Sequence, residues 1–83
     1  MEQNFDFSQA DSLFVEVAKY VVETGKTQAS ALQRDFDLGY NRAGRIISQL
    51  EVAGIVGEAV RCKPRAVLCT AEELEQKLSE WKK

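Results

Sequence analysis

Histidine is absent from the 83 residues, and proline and tryptophan occur once each. Without histidine, the commonest neutral-pH general acid–base group and metal ligand is missing. Cys62 and Cys69 therefore have no imidazole with which to form a metal site or an activated nucleophile. The five glycines supply no phosphate-cradling loop. Gly39 to Ile46 has the glycine spacing of one but lacks its Lys and Ser/Thr. These absences predict a protein that is not an enzyme and needs no cofactor or metal. No run approaches the ~18 apolar residues of a membrane span. The acidic start MEQNFDF has no apolar core of a secretory signal. Reduced thiols in the cytoplasm are the expectation that follows. At typical sizes of about 100–150 residues per domain, the length predicts one small domain over 1–83. Charged residues at 29 % and few glycines and prolines exclude a disordered or fibrous chain.

What is present is a segregation of charge. Formal net charge is −2, but residues 1–25 carry −4, residues 26–65 carry +3 and residues 66–83 carry −1. A polyanion responds to the local field rather than to the total, so the basic middle is the place to look for a binding face. By itself +3 over forty residues is also what an ordinary mixed surface carries.

Hydrophobic spacing orders the chain. Ser8 and Asp11 give an S-x-x-D start signal. Leu13, Phe14, Val17, Tyr20 and Val21 then predict a helix over about 10–23, stopped by Gly25. Ser30 is placed to cap a short helix over 31–36 with Leu32 and Phe36 inward, which Asp37-Leu38-Gly39 breaks. Ala43, Ile46, Ile47 and Leu50 form one stripe of a third helix over about 40–53, ended by Gly54. Two short apolar runs, 55–57 and 66–69, flank the polar stretch 58–65 and predict a hairpin with a long loop. Thr70 and Glu73 make a capping box for a last helix over about 71–82, with Ala71, Leu74, Leu78 and Trp81 in one stripe.

Helix, helix, tight turn, helix and hairpin are the parts of a winged helix-turn-helix. The fold class is thus mostly α with a small β-hairpin, having its core over about 10–69 and an extra C-terminal helix. At 100° per residue, the face of the third helix opposite its core stripe holds Asn41, Arg45, Ser48 and Val52, with Arg42 and Gln49 flanking. Arg, Asn and Gln hydrogen-bond base edges in a major groove, although any exposed helix face is polar. In the wing, Arg61, Lys63 and Arg65 fall within five residues around Pro64, a spacing suited to phosphates.

The ordered run LQRDFDLGYNRAGRIISQLEVAGIVG (32–57) followed by KPRAVL (63–68) resembles the gamma domain of FtsK-type bacterial DNA translocases. The resemblance covers about half the chain. It implies a winged helix that recognises a short polar DNA sequence orienting the motor along the chromosome, and that contacts a tyrosine recombinase. It also implies recognition-helix roles for Asn41, Arg42 and Arg45 and wing roles for Lys63 and Arg65. Asp35 and Asp37 stand where that family usually has arginine, Gly44 where it has alanine, and Ser48 where it has an acid. The family form usually ends near Leu68, so the chain reads either as a free-standing relative or as an excised domain with extra residues.

Two functions follow. The first is a sequence-preferring module for double-stranded DNA, with helix 40–53 in the major groove and wing 58–65 on the backbone. The alternative is a protein-interaction winged helix, an adaptor to a recombinase or translocase. The terminal stripe either packs back on the first helix over Phe5 or Phe7, or joins two chains as a homodimer. No membrane partner is expected.

Overall fold

A computed structural model describes residues 5–60 and 63–81. The chain enters through a single 3-10 turn, Phe7–Gln9, rather than through the first α-helix. Asp6 caps that turn, accepting from the Ser8 amide at 3.0 Å and the Ser8 hydroxyl at 2.6 Å. Ser8 therefore does not start α1. Asp11 instead closes the turn before the helix, its Oδ1 accepting from the Leu13 amide at 2.9 Å, and α1 runs Phe14–Thr24 with Leu13 at its N-cap and no capping side chain. Phe5 and Phe7, ahead of the helix, turn back onto Phe14. Gly25, at φ 75°, closes α1 by donating its N–H to the Val21 carbonyl.

Helix α2 spans Ala29–Phe36 and begins two residues before the expected start, with Gln28 rather than Ser30 at its N-cap and no capping side chain. The reason lies upstream. Thr27 is buried (3 % exposed), and its hydroxyl donates to the Arg65 carbonyl at 3.0 Å, which sets the entry of the helix. Asp37, not Gly39, supplies the left-handed residue of the turn that follows (φ 54°, ψ 49°). Aspartate tolerates that conformation better than most side chains. Leu38 is buried beneath the turn.

Helix α3, Tyr40–Val52, buries Ala43, Ile46, Ile47 and Leu50 against the other helices, and the left-handed Gly54 follows its last turn. Packing of α3 on α2 and on α1 builds the core. Helix α4, Ala71–Trp81, opens with the expected capping box. The Thr70 amide donates to Glu73 Oε1 at 2.9 Å, and the Glu73 amide donates to Thr70 Oγ1 at 3.1 Å. Leu74 and Leu78 are buried where α4 packs on α1, whereas Ala71 is exposed and leaves the expected stripe. Trp81 closes the end over Phe5, Phe7 and Phe14, with ring centroids 4.8–5.9 Å away. The terminal stripe is thus buried within its own chain.

The expected β-hairpin is not formed as strands. Among the described residues the molecule is mostly helical, with four α-helices and no sheet. Two antiparallel arms do meet: Gly57 donates to the Ala66 carbonyl and Leu68 to the Ile55 carbonyl, each at 2.8 Å. Only isolated bridges, Val56 to Val67 and Val60 to Lys63, result. A ladder needs both bonds of each such pair. Here the Ile55 N–H goes to the Leu50 carbonyl of α3 at 2.9 Å, and the Gly57 carbonyl accepts from Arg65 Nη1 at 3.0 Å. Each pair keeps one bond and gives the other to a helix or a guanidinium. No helix among the described residues is long and apolar enough to cross a membrane.

Candidate nucleic-acid interface

Burial of Ala43, Ile46, Ile47 and Leu50 turns the opposite side of α3 outward, and Asn41, Arg45, Ser48 and Val52 are exposed there. The two flanks of this face differ. On one side Arg42 donates through Nε and Nη2 to the two carboxylate oxygens of Asp11, at 2.9 and 2.8 Å. Beside it, Gln49 Oε1 accepts from the Asp11 amide at 3.0 Å while its Nε2 donates to the Gln9 carbonyl at 3.5 Å. Both side chains fasten the segment before α1 to α3. That segment walls an apolar hollow of about 250 Å³ between Phe5, Ala10 and Val52, with Arg45 and Ser48 at its edge.

On the other flank, Tyr40 (68 % exposed) and Gly44 face a shallow groove of about 360 Å³, whose far wall is Ala59, Lys63 and Pro64. A methyl group at Gly44 would meet nothing within 4 Å, so the protein's own packing does not demand glycine there. Arg65 roots this wall. Its Nη1 donates to Glu51 Oε1 of α3 at 2.9 Å and to the Gly57 carbonyl at 3.0 Å. With its own carbonyl held by Thr27, Arg65 joins α3, the loop and the approach to α2.

Of the eight residues singled out in the sequence, the structure therefore brings four to exposed positions around one face: Asn41, Arg45, Ser48 and Lys63. It engages Arg42, Gln49 and Arg65 in bonds within the chain, and Arg61 lies outside the described residues. Asp11 was legible only as part of a helix-start signal, and Thr27 and Glu51, which hold Arg65, carried no local signal. Their partners lie 31, 38 and 14 residues away. Asp35 pairs with Arg34 at 3.0 Å and also accepts from the Tyr20 hydroxyl, so α2 adds little positive field. Among the described residues no group of three His, Cys, Asp or Glu side chains is placed to hold a metal.

The Arg42 hydrogen bonds hold the Asp11 carboxyl below the usual carboxylate value. The Leu13 amide and the charge of Arg45 act in the same direction, and partial burial opposes them. A depressed folded-state value means stability present above the unfolded value and lost as pH falls through the folded one. The stability gap between the native chain and Asp11→Asn should be constant near neutrality. It should close as pH falls below 3.8, the ordinary value. Urea melts from about pH 6 to pH 2.5 check this; a gap that persists at the acid end excludes the ion pair as its source.

The sequence model of the Ftsk gamma domain matches residues 8–70. The chain belongs to the FtsK gamma domain family. It is 43 % identical over 74 residues to the DNA translocase SftA of Bacillus subtilis (strain 168), covering 89 % of this chain and 8 % of that protein. With the DNA translocase FtsK of Streptococcus pneumoniae it shares 44 % over 71 residues, covering 81 % of this chain and 9 % of the relative. With the DNA translocase FtsK of Haemophilus ducreyi it shares 48 % over 61 residues, covering 74 % and 6 %. This gamma domain thus spans less than a tenth of the length of these relatives. The match to the family model ends at Thr70, just before α4.

Proposed function

We propose that this gamma domain is a winged helix-turn-helix module, one domain over 1–83, that binds double-stranded DNA with a sequence preference. Helix α3 enters the major groove and the arm 58–65 lies on the backbone. Asn41, Arg45 and Ser48 reach base edges, and Lys63, with Arg61, neutralises phosphates. In a larger translocase such a module is the DNA-reading part rather than the motor. One observation carries the proposal. Arg45 and Lys63 are exposed on either side of Gly44 and Tyr40, and neither has a carboxylate partner among the described residues.

Selection of bound sequences from a random duplex pool tests the reading. An enriched motif, and a steep fall of affinity with salt, are expected. Random recovery with a flat salt dependence points instead to a protein-binding adaptor, with a recombinase or a translocase motor as its partner. Lys63→Ala should weaken enriched and random duplexes alike and reduce the log–log salt slope by about 1. A slope identical to that of the native chain removes Lys63 from the interface.

A further inference from the structure

Asp11 sits where α1 meets the flank of α3, and its pairing with Arg42 bears on the duplex reading. The guanidinium meets the carboxylate through two parallel bonds, and Nη2 also reaches Ser12 Oγ at 3.3 Å. Asp11 is itself fixed. Gln49 holds its amide, its Oδ1 caps Leu13, and its side chain is 10 % exposed against 44 % for Arg42. We infer that Asp11 determines specificity by holding Arg42 away from the DNA backbone and leaving base reading to Arg45; this rests on the DNA-binding function proposed above.

The reasoning is one of competing partners. Arg42 lies about 100° round α3 from Asn41, on the flank of the outward face, where a long cation meets phosphate rather than bases. A phosphate contact strengthens binding to every sequence equally, whereas a base contact strengthens only the preferred one. To reach a phosphate, Arg42 must leave two charge-assisted bonds and strand a carboxylate that is 10 % exposed beside a polyanion. Both steps oppose the move, so Arg42 stays with Asp11 and the ratio of specific to random binding rises.

A double-mutant cycle tests this on the full chain, using the duplex enriched from the random pool, a random duplex and a salt series. Asp11→Asn should strengthen random-duplex binding about fivefold to tenfold at 0.1 M salt, steepen the slope by about 1 and lower the preference ratio. Arg42→Ala alone should leave the slope unchanged. Arg42→Ala added to Asp11→Asn should return the slope to that of the native chain. Glu75→Gln, an equal charge change on α4, should have no such effect. Asp11→Ser, which keeps an oxygen for the Leu13 amide, should match Asp11→Asn and guards against a folding defect. A slope reduced by about 1 in Arg42→Ala alone would show Arg42 already on phosphate and overturn the inference. So would Asp11→Asn behaving like Glu75→Gln. Absence of salt-dependent duplex binding by the native chain overturns the DNA-binding function itself, whereas a flat cycle on a protein that binds overturns only the role of Asp11.

Discussion

Leu74→Ala is expected to lower the unfolding free energy by about 2–4 kcal/mol, the cost of emptying a leucine-sized space that cannot fully collapse. Leu74 is 2 % exposed within the core cluster, where α4 lies on α1. A domain of this length holds only about 4–12 kcal/mol in total. The same change should lower the melting temperature by roughly 10–25 °C. Truncation after Thr70 should cost more, because Leu78 and Trp81 leave with Leu74 and the rings of Phe5, Phe7 and Phe14 lose their cover. Chemical and thermal melts measure both variants. The melting temperature of the native chain should not change with protein concentration, since the stripe is buried within one chain. A loss under about 0.5 kcal/mol for Leu74→Ala, typical of a surface site, would show that α4 is not part of the core. A concentration-dependent melt would point to association through α4.

Why α3 and α4 were legible and the rim of the site was not has a physical basis. A helix announces itself by repeating one face every 3.6 residues, and Ala43, Ile46, Ile47 and Leu50 do so without interruption. The Thr70–Glu73 box is equally local, both bonds closing within four residues. Two helix starts were misplaced, one by a competing local bond and one by a tertiary contact. Asp6 competes for Ser8, and the Arg65 carbonyl takes Thr27 and shifts α2 forward. The apolar runs 55–57 and 66–69 do lie antiparallel. What their composition cannot encode is that Leu50 and Arg65 take the bonds that would complete the ladder. The same limit governs the site. Periodicity says which face of α3 turns outward, and Asn41, Arg45 and Ser48 are indeed exposed there. It is silent on which long polar side chains find partners elsewhere. Arg42, Gln49 and Arg65 have the residue types of DNA contacts, but their bonds run to atoms 31, 38 and 14 residues away along the chain.

Those bonds sharpen what Arg45→Ala should do. With Arg42 held by Asp11, Arg45 is the exposed cation of α3 with no carboxylate partner among the described residues. It lies 40° from Asn41 on the helical wheel, in the middle of the outward face. A guanidinium so placed addresses guanine through two bonds, which distinguish one base pair from the other three. Its removal should cost about 1–3 kcal/mol on the enriched duplex and little on random DNA, so the preference ratio falls by roughly tenfold or more. The salt slope on random DNA should hold, because the proposed backbone contacts of Lys63 and the arm 58–65 are untouched by the change. The pattern is opposite to that of Lys63→Ala, which makes the pair a test of role and not only of contact. Titration of both duplexes over a salt series supplies the measurement. Equal losses on the two duplexes, with a slope lowered by about 1, would reassign Arg45 to phosphate and leave Asn41 and Ser48 as the base-reading residues of α3.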